Sequence, residues 1–365
     1  MRPVVMSAAA LLWSSLASAQ TISFVEPVGG SSHVFLDNLA DDALTQLTSG
    51  PDTDQSPEWS FDGSELAFER DGPDVGYAVM VMNANGSGLL DISPPNGADI
   101  LPSWTQSGQI VFSQVIEPPN PATMNLPVTA LMIMNADGSG RTALVTPGPQ
   151  SMFNFEPMVS PDGTKILFEC GPAFNSPLQV CEVNSNGTGF KYLTSVQGAA
   201  SSDAHWSSDE SKIIFDSTRA GGVNLFSMNP NGSDVTQLTQ FAEPLEGQDA
   251  GYSPDGSSIV FEWDNGGNES TNAAAPAAVW TMGPTGLDPH PLSIPCAESG
   301  CAPRYQPDPS VPGPHASSGY ATAPEAHTWT MILIGFAAIG FAARSRAVGR
   351  RGDVTFGAGF PPRAH

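Results

Sequence analysis

A pattern of short apolar runs separated by turn residues recurs six times along the chain. Each copy opens with Pro or Ala, and the copies start at Pro57, Pro102, Pro157, Ala204, Ala250 and Pro303. In the first five copies this opening, the first predicted strand, is followed by a second, apolar run such as Leu66-Ala67-Phe68 and then by a third run. In four of the copies the third run leads to a hairpin turn such as Asn85-Gly86. Such pairs supply the positive φ angles that two-residue hairpins require. The pattern therefore predicts short antiparallel strands, four to a repeat.

The spacing of the copies predicts the architecture. Successive copies start 45 to 55 residues apart, and four strands in about 48 residues are typical of a propeller blade. Residues 22–25, 33–36 and 43–48 predict a second, third and fourth strand without a first, whereas residues 303–308 predict a first strand alone. We therefore predict an all-β, six-bladed β-propeller, closed by one C-terminal and three N-terminal strands so that no sheet edge stays free.

The repeated turn identifies a family resemblance. The segments Pro57-Glu-Trp-Ser-Phe-Asp-Gly63 and Pro157-Met-Val-Ser-Pro-Asp-Gly163 are similar to the Pro-x-Trp-Ser-Pro-Asp-Gly turn of the TolB-type six-bladed propeller repeat. The resemblance covers residues 21 to 309 and implies the propeller fold. We expect the turn aspartates and the repeated aromatic residues to be structural: Asp62, Asp162, Asp209, Asp255, Trp59, Trp104, Trp206 and Tyr252.

The two ends of the chain look like targeting segments. Arg2, an apolar run from Val4 to Leu16 and the small residues Ala17-Ser18-Ala19 predict a secretory signal peptide over residues 1–19. The propeller is then expected over 20–309, and a Pro/Ser/Gly linker over 310–323. A sorting or transmembrane segment follows over 324–351, and a tail over 352–365.

The C-terminal segment resembles the PEP-CTERM sorting signal of Gram-negative bacteria. Pro324-Glu325 stands for its motif, Trp329 opens an uncharged apolar helix, and Arg344 and Arg346 begin a basic cluster. The resemblance implies an inner-membrane helix before processing, recognition by an exosortase-type enzyme, and delivery to the cell surface or extracellular matrix. The alternative is an ordinary single-span membrane anchor.

The four cysteines fit an oxidising compartment. Cys170 and Cys181 are predicted on neighbouring strands, and Cys296 and Cys301 share one short loop, so two local disulfides are the natural pairing.

The net charge of the chain limits the classes of partner that it can bind. With 37 Asp+Glu against 13 Lys+Arg, the formal net charge is −24, which argues against nucleic acid because phosphates must be neutralised by Lys and Arg. Acidic residues recur where a first strand begins and where a second strand ends. They are Asp54, Asp99, Glu156, Asp203 and Asp249 in the first set, and Glu69, Glu169, Asp216 and Glu262 in the second.

These acids are expected as two rings on the face that carries the second-to-third-strand loops. One interpretation is a site for Ca²⁺, with Asp203 and Asp249 as possible ligands, because Ca²⁺ prefers oxygen ligands. A second is a docking surface for a basic partner, and a third is that the acids only hydrate a secreted protein.

The sequence contains few indications of catalysis. The sequence has no Gly-x-Ser-x-Gly elbow, phosphate loop or His-Glu-x-x-His motif. The prediction is a secreted or surface-associated noncatalytic binding module, with an envelope protein or exopolysaccharide as ligand. The alternative is an extracellular carbohydrate-active propeller enzyme, a hydrolase or lyase, in which paired carboxylates supply acid and base.

Overall fold

The computed structural model describes residues 20–307, except for 74–75, 96, 118–126, 173–175, 242–244, 265–277 and 295–300. The predicted signal peptide, linker, sorting segment and tail therefore lie outside the described residues. Within the described part of the chain, no helix has the length and apolar character needed to cross a membrane.

The regular structure of the described residues consists of β-strands, numbered here in chain order. The first eleven are β1 (Thr21–Val28), β2 (Ser31–Asn38), β3 (Ala43–Gln46), β4 (Thr53–Trp59), β5 (Glu65–Gly72), β6 (Gly76–Asn83), β7 (Leu90–Asp91), β8 (Asp99–Trp104), β9 (Gln109–Glu117), β10 (Val128–Asn135) and β11 (Thr142–Val145). The next eight are β12 (Phe153–Val159), β13 (Lys165–Gly171), β14 (Gln179–Asn184), β15 (Lys191–Tyr192), β16 (Ser201–Trp206), β17 (Ile213–Ser217), β18 (Asn224–Met228) and β19 (Thr236–Gln237). The last five are β20 (Glu246–Tyr252), β21 (Ile259–Asp264), β22 (Ala278–Met282), β23 (His290–Pro291) and β24 (Arg304–Tyr305).

The strands form six antiparallel four-stranded sheets, which are the blades of a propeller. Blade 1 contains β4 to β7, and blades 2 to 5 follow in sets of four up to β20–β23. Blade 6 has the strand order β24-β1-β2-β3, in which Tyr305 pairs with Ile22 and Arg304 with Ser23. The predicted all-β, six-bladed ring and its closure by one C-terminal and three N-terminal strands are therefore confirmed.

The turn between the first and second strand is held by its aspartate. In blade 1 the Asp62 carboxylate accepts hydrogen bonds from the Ser64 hydroxyl at 2.6 Å, the Ser60 hydroxyl at 2.8 Å and the Ser64 amide at 3.0 Å. These bonds, first of all that from the Ser64 hydroxyl, lower the pKa of Asp62 because they favour the charged form. The turns of blades 3, 4 and 5 repeat the hydroxyl and amide bonds to their own aspartates, which confirms the predicted structural role.

The fourth strands are shorter than the sequence pattern predicts. The pattern ends the fourth strand of blade 3 at Leu193-Thr194, whereas β15 ends at Tyr192. Beyond that point the Thr194 hydroxyl accepts a hydrogen bond from the Val180 amide of the third strand at 2.9 Å. The same bond recurs in blades 4 and 6. A side chain that takes over a backbone bond in this way competes with the ladder, so the strand stops early.

The hydrophobic core is divided among the six contacts between neighbouring blades. Each contact buries a cluster that draws residues from both blades. Between blades 5 and 6 the cluster includes Phe24, Val260 and Tyr305, so the closing strand is packed as well as paired. The predicted packing role of the repeated aromatic residues is confirmed, because the side chains of four of them are almost completely buried: Trp59, Trp104, Trp206 and Tyr252.

One of the two predicted disulfides lies within the described residues. Cys170 on β13 and Cys181 on β14 are bonded, with their Cα atoms 5.9 Å apart, and both are fully buried. The bond joins neighbouring strands of blade 3, as predicted. Cys301 is buried as well, but its predicted partner Cys296 lies outside the described residues.

Candidate functional site

Every first strand carries an irregularity near the centre of the ring. The first strands of successive blades contact one another around this centre, and β24 contacts both β20 and β4. In blades 1 to 5 the pairing of the first with the second strand shifts register. The residue at the shift has a positive φ between 50° and 56° in these five blades: Ser56, Leu101, Glu156, Asp203 and Asp249. In blade 6 Ala302, just before β24, holds the equivalent position with a φ of 46°. A β-bulge turns a side chain and its amide out of the regular ladder, so three of these bulges re-aim a carboxyl group.

All nine predicted site carboxyls are buried rather than displayed on an open rim. The exposed fraction ranges from 0% for Asp54 to 7% for Glu69. Buried carboxylates need partners, and these partners divide the nine acids into groups with different roles.

The first group is neutralised by arginine. Asp54 on β4 lies opposite Arg70 on β5 and accepts two hydrogen bonds from its guanidinium, at 2.6 and 3.0 Å. Asp99 on β8 accepts two from Arg141, one of them at 2.6 Å. Paired guanidinium–carboxylate bonds of this kind satisfy both charges. The sequence pattern assigned no role to Arg70 or Arg141. Arg141 in particular lies 42 residues from Asp99 along the chain.

The second group ties one blade to the next. Glu69 of blade 1 accepts a hydrogen bond from the amide of Leu101 in blade 2 at 3.3 Å. Glu262 of blade 5 accepts one from the amide of Cys301 at 2.7 Å. Both acceptors follow the last phenylalanine of a second strand, and both donors lie at or beside a bulge of the following first strand. The bulge frees an amide, and the acid of the preceding blade satisfies it.

The third group is a cluster of acids without a neutralising base close by. We call Glu156, Glu169, Asp203 and Asp216 the acidic cluster; it lies where blades 3 and 4 meet at the centre of the ring. One carboxylate oxygen from each of Glu156, Glu169 and Asp203 lies within 4.8 Å of the others. Asp216 is within hydrogen-bonding reach of Asp203 and accepts a bond from the Ser202 hydroxyl at 2.9 Å.

The acidic cluster is poorly supplied with donors. Glu169 accepts a hydrogen bond from the Asp203 amide at 3.2 Å through one oxygen. Among the residues that the structure describes, no donor from outside the cluster reaches either oxygen of Glu156, either oxygen of Asp203, or the second oxygen of Glu169, so only neighbouring carboxyl groups can bond to them. Buried polar atoms without partners are rare in folded proteins. Five atoms of this kind would not be expected unless the acids share protons or hold a cation.

Burial changes the proton affinity of the cluster. It raises the pKa of Glu169 to about 8, with the charge of Asp216 adding to the effect. Burial also raises the pKa of Asp203 well above the ordinary range, and repulsion from Asp216 raises it further. The pKa of Glu156 is raised in the same way, by burial first and then by repulsion from Glu169. The pKa of Asp216 is raised by burial as well. Desolvation and like charges both favour the neutral acid, so protons and cations compete for this cluster.

Asp249, which the sequence offers with Asp203 as a possible cation ligand, lies beside an arginine. The guanidinium Nη2 of Arg304 on β24 is 3.8 Å from the Asp249 Oδ1, and both side chains are almost fully buried. Arg304 was not singled out from the sequence. The repeat could have drawn attention to it, because arginine is rare in this chain and here occupies the position held by Glu58 in blade 1 and His205 in blade 4.

The loops between second and third strands differ in length and are only partly described. The loop at Thr218 to Gly222 between β17 and β18 is described and short. The longer loops after β9 and β21 fall largely on 118–126 and 265–277, which lie outside the described residues.

Comparison with known proteins identifies the fold. No protein-family model matches the chain, and no curated protein does. Among solved structures, a putative TolB from Agrobacterium tumefaciens is similar with a TM-score of 0.59 and 15% identity, covering 84% of this chain and 98% of that one. TolB from Acinetobacter baumannii has a TM-score of 0.61 and 16% identity, covering 79% of this chain and 67% of its own.

An enzyme shares the same fold. An oligogalacturonate lyase in complex with manganese has a TM-score of 0.51 and 16% identity, covering 74% of this chain and 73% of that chain. The chain therefore has the TolB-like six-bladed propeller fold. Because these identities are so low, the similarity shows the fold alone, which serves binding proteins and enzymes alike.

Proposed function

We propose that this chain is a noncatalytic binding module of the bacterial cell envelope whose acidic cluster holds a divalent cation such as Ca²⁺. The observation that carries the proposal is the group of buried carboxylate oxygens from Glu156, Glu169 and Asp203, within 4.8 Å of one another. Ca²⁺ takes six to eight oxygen ligands in flexible geometry. Carboxylates from two first strands and one second strand are fixed by the propeller frame, and Asp216 supplies a further oxygen nearby.

The burial of the cluster supports binding over catalysis. The exposed fractions of Glu156, Glu169 and Asp203 are 5%, 2% and 2%. A bare ion can reach groups in such a place, whereas a polysaccharide chain needs an open cleft to bring its bonds to an acid–base pair. The cation is therefore assigned a structural role, in which it fixes blades 3 and 4 against each other.

The partner is proposed to dock on the loops between second and third strands. Variable loops on a rigid repeated frame are the usual location of binding sites. An envelope protein or an exopolysaccharide is the partner class, in keeping with the predicted export signal and PEP-CTERM-like segment. Those segments also underlie the proposal that an exosortase-type enzyme sorts the chain to the cell surface.

Calorimetric titration of the purified full chain with CaCl₂, in comparison with MgCl₂ and MnCl₂, tests the cation site. We expect stoichiometric binding that weakens as the pH falls, since protons compete with the cation for the same oxygens. Removing one ligand by Glu169→Gln or Asp203→Asn should weaken binding about tenfold or more.

Glu69→Gln provides the matched control. Glu69 holds the same repeat position in blade 1 as Glu169 does in blade 3, it is buried as well, and burial raises the pKa of both to about 8. It accepts a bond from the Leu101 amide and is not part of the acidic cluster, so its substitution should leave the titration unchanged. Equal weakening by both variants, or no heat with wild-type protein, contradicts the cation site.

Glycan-array screening of the same protein tests the partner class and the absence of catalysis. Retention of a polysaccharide without release of shorter products supports a binding module. Product release that disappears in Asp203→Asn overturns the noncatalytic assignment in favour of a hydrolase or lyase.

A further inference from the structure

An arginine from the ring-closing strand shares the centre of the propeller with the acidic cluster. The Arg304 side chain is fully buried, and arginine is seldom buried without a full set of partners. Its Nη1 donates to the carbonyl oxygens of Pro303 and Asp249. In the part of the chain that the structure describes, no hydrogen-bond acceptor reaches its Nε or Nη2. Besides the two bonds of Nη1 to backbone carbonyls, the guanidinium is therefore held by the negative charges around it, including Asp249 Oδ1 at 3.8 Å from Nη2.

The acids that attract Arg304 overlap with the proposed cation ligands. Burial lowers the pKa of the Arg304 guanidinium, and four carboxylates oppose that effect, in decreasing order those of Asp249, Glu58, Glu156 and Asp203. The last two belong to the acidic cluster. Arg304 is thus a tethered counter-ion for the same acids that a free cation would occupy.

Arg304 also belongs to the element that closes the ring. β24 consists of two residues, and its ladder with β1 consists of the pairs Ile22–Tyr305 and Ser23–Arg304. The flanking bonds are those of the Val25 amide to Cys301 and of the Gln306 amide to Thr21. A pairing this short depends on packing and charge at its ends, and Arg304 supplies the charge.

We propose that Arg304 competes with the bound cation, so that filling the acidic cluster and closing the ring with β24 oppose each other. This inference rests on the proposed cation site. A divalent ion among Glu156, Glu169 and Asp203 weakens the attraction that keeps the guanidinium at the centre and adds repulsion to it. Coupling of this kind is reciprocal. Arg304 lowers the affinity for the cation, and the bound cation weakens the pairing of β24 by the same free energy.

Hydrogen exchange of the full wild-type chain, with and without saturating CaCl₂, measures the effect on β24. We expect amides in 301–307 to exchange about threefold to tenfold faster with Ca²⁺, as a coupling of about 1 kcal/mol requires. Amides of β12 and β16 should exchange more slowly, because the ion ties blades 3 and 4 together.

Two substitutions separate charge from packing. Arg304→Met keeps an apolar stem of similar reach without the charge, and it should bind Ca²⁺ about tenfold more tightly while losing the acceleration at 301–307. Arg304→Lys keeps the charge and should resemble wild-type protein in both measurements.

The outcomes are distinguishable. If wild-type protein binds Ca²⁺ but 301–307 slow together with the rest, or if the Met and Lys variants bind equally, the competition is refuted while the cation site stands. If wild-type protein binds no cation, the proposed function and this inference fail together. Should Arg304→Met not fold, the exchange measurement on wild-type protein alone decides.

Discussion

The Glu69 carboxyl group permits a test of how burial acts on the acidic positions of this propeller. Glu69 is 7% exposed and its oxygen accepts a hydrogen bond from the Leu101 amide at 3.3 Å. Burial raises its pKa to about 8, against an ordinary value of 4.5, and the hydrogen bond offsets only part of that effect. The folded protein therefore holds a proton here that the unfolded chain releases.

The sign and size of the effect follow from this difference. Below pH 4.5 both forms carry the proton, and from there to about pH 8 only the folded form does. The folded state binds more protons in this window, so stability falls as the pH rises. A tenfold difference in proton affinity is worth about 1.4 kcal/mol, which sets an upper limit of about 5 kcal/mol for Glu69.

Glu69→Gln removes this linkage while keeping an oxygen for the Leu101 amide. Urea unfolding followed by tryptophan fluorescence from about pH 5 to about pH 9 should show a flatter curve for the variant, with a difference of at most about 4 kcal/mol over the range. Glu69→Ala is the control, because it is as independent of pH at this position as Glu69→Gln but should be about 1–3 kcal/mol less stable than Glu69→Gln at every pH, for want of the acceptor. Parallel curves for wild-type protein and Glu69→Gln would refute the reasoning.

Three further changes test the interactions that fix the blades. Arg70→Met leaves Asp54 buried without its partner and should cost about 3–5 kcal/mol in urea unfolding; a smaller loss in the double variant with Asp54→Asn checks the cause, and an additive loss contradicts it. Replacing Cys170 and Cys181 by Ala should cost about 2–3 kcal/mol, and an unchanged melting temperature in calorimetry would contradict a stabilising role of this bond. Tyr305→Ala opens the contact between blades 5 and 6 and should cost about 3–5 kcal/mol; an unchanged melting temperature would show that β24 contributes little.

The architecture was predictable because it depends on local chemistry repeated many times. A turn such as Ser60 to Ser64 carries its own hydrogen bonds, so its sequence alone predicts a strand reversal. The closure was predictable by elimination, since three strands at one end and one at the other complete a blade. The shortening of the fourth strands was not predicted, because it depends on a hydroxyl such as that of Thr194 reaching a neighbouring strand.

The candidate site was predictable as a set of residues but not as a set of roles. The sequence placed Asp54, Asp99 and Asp203 together, since all three lie near the start of a first strand. The structure separates them, because Asp54 and Asp99 precede the bulge and meet arginines, whereas Asp203 is the bulge residue itself. A shift of two positions along a bulged strand changes where a side chain points, and no pattern of residue types records it.

The charges at the centre of the ring are distributed unevenly, and this determines where a cation would bind. Blades 1 and 2 neutralise their first-strand acids with Arg70 and Arg141, and blade 6 contributes Arg304 beside Asp249. The acidic cluster of blades 3 and 4 has no arginine at comparable distance among the described residues. In a chain with 13 Lys+Arg against 37 Asp+Glu, basic side chains at three of the six blades leave the acidic cluster of blades 3 and 4 without a directly paired base in the described part of the chain, and Arg304 attracts Glu156 and Asp203 without forming an ion pair with either. That sector is the place where an external cation gains most, because no base of the described residues is in direct contact with its acids.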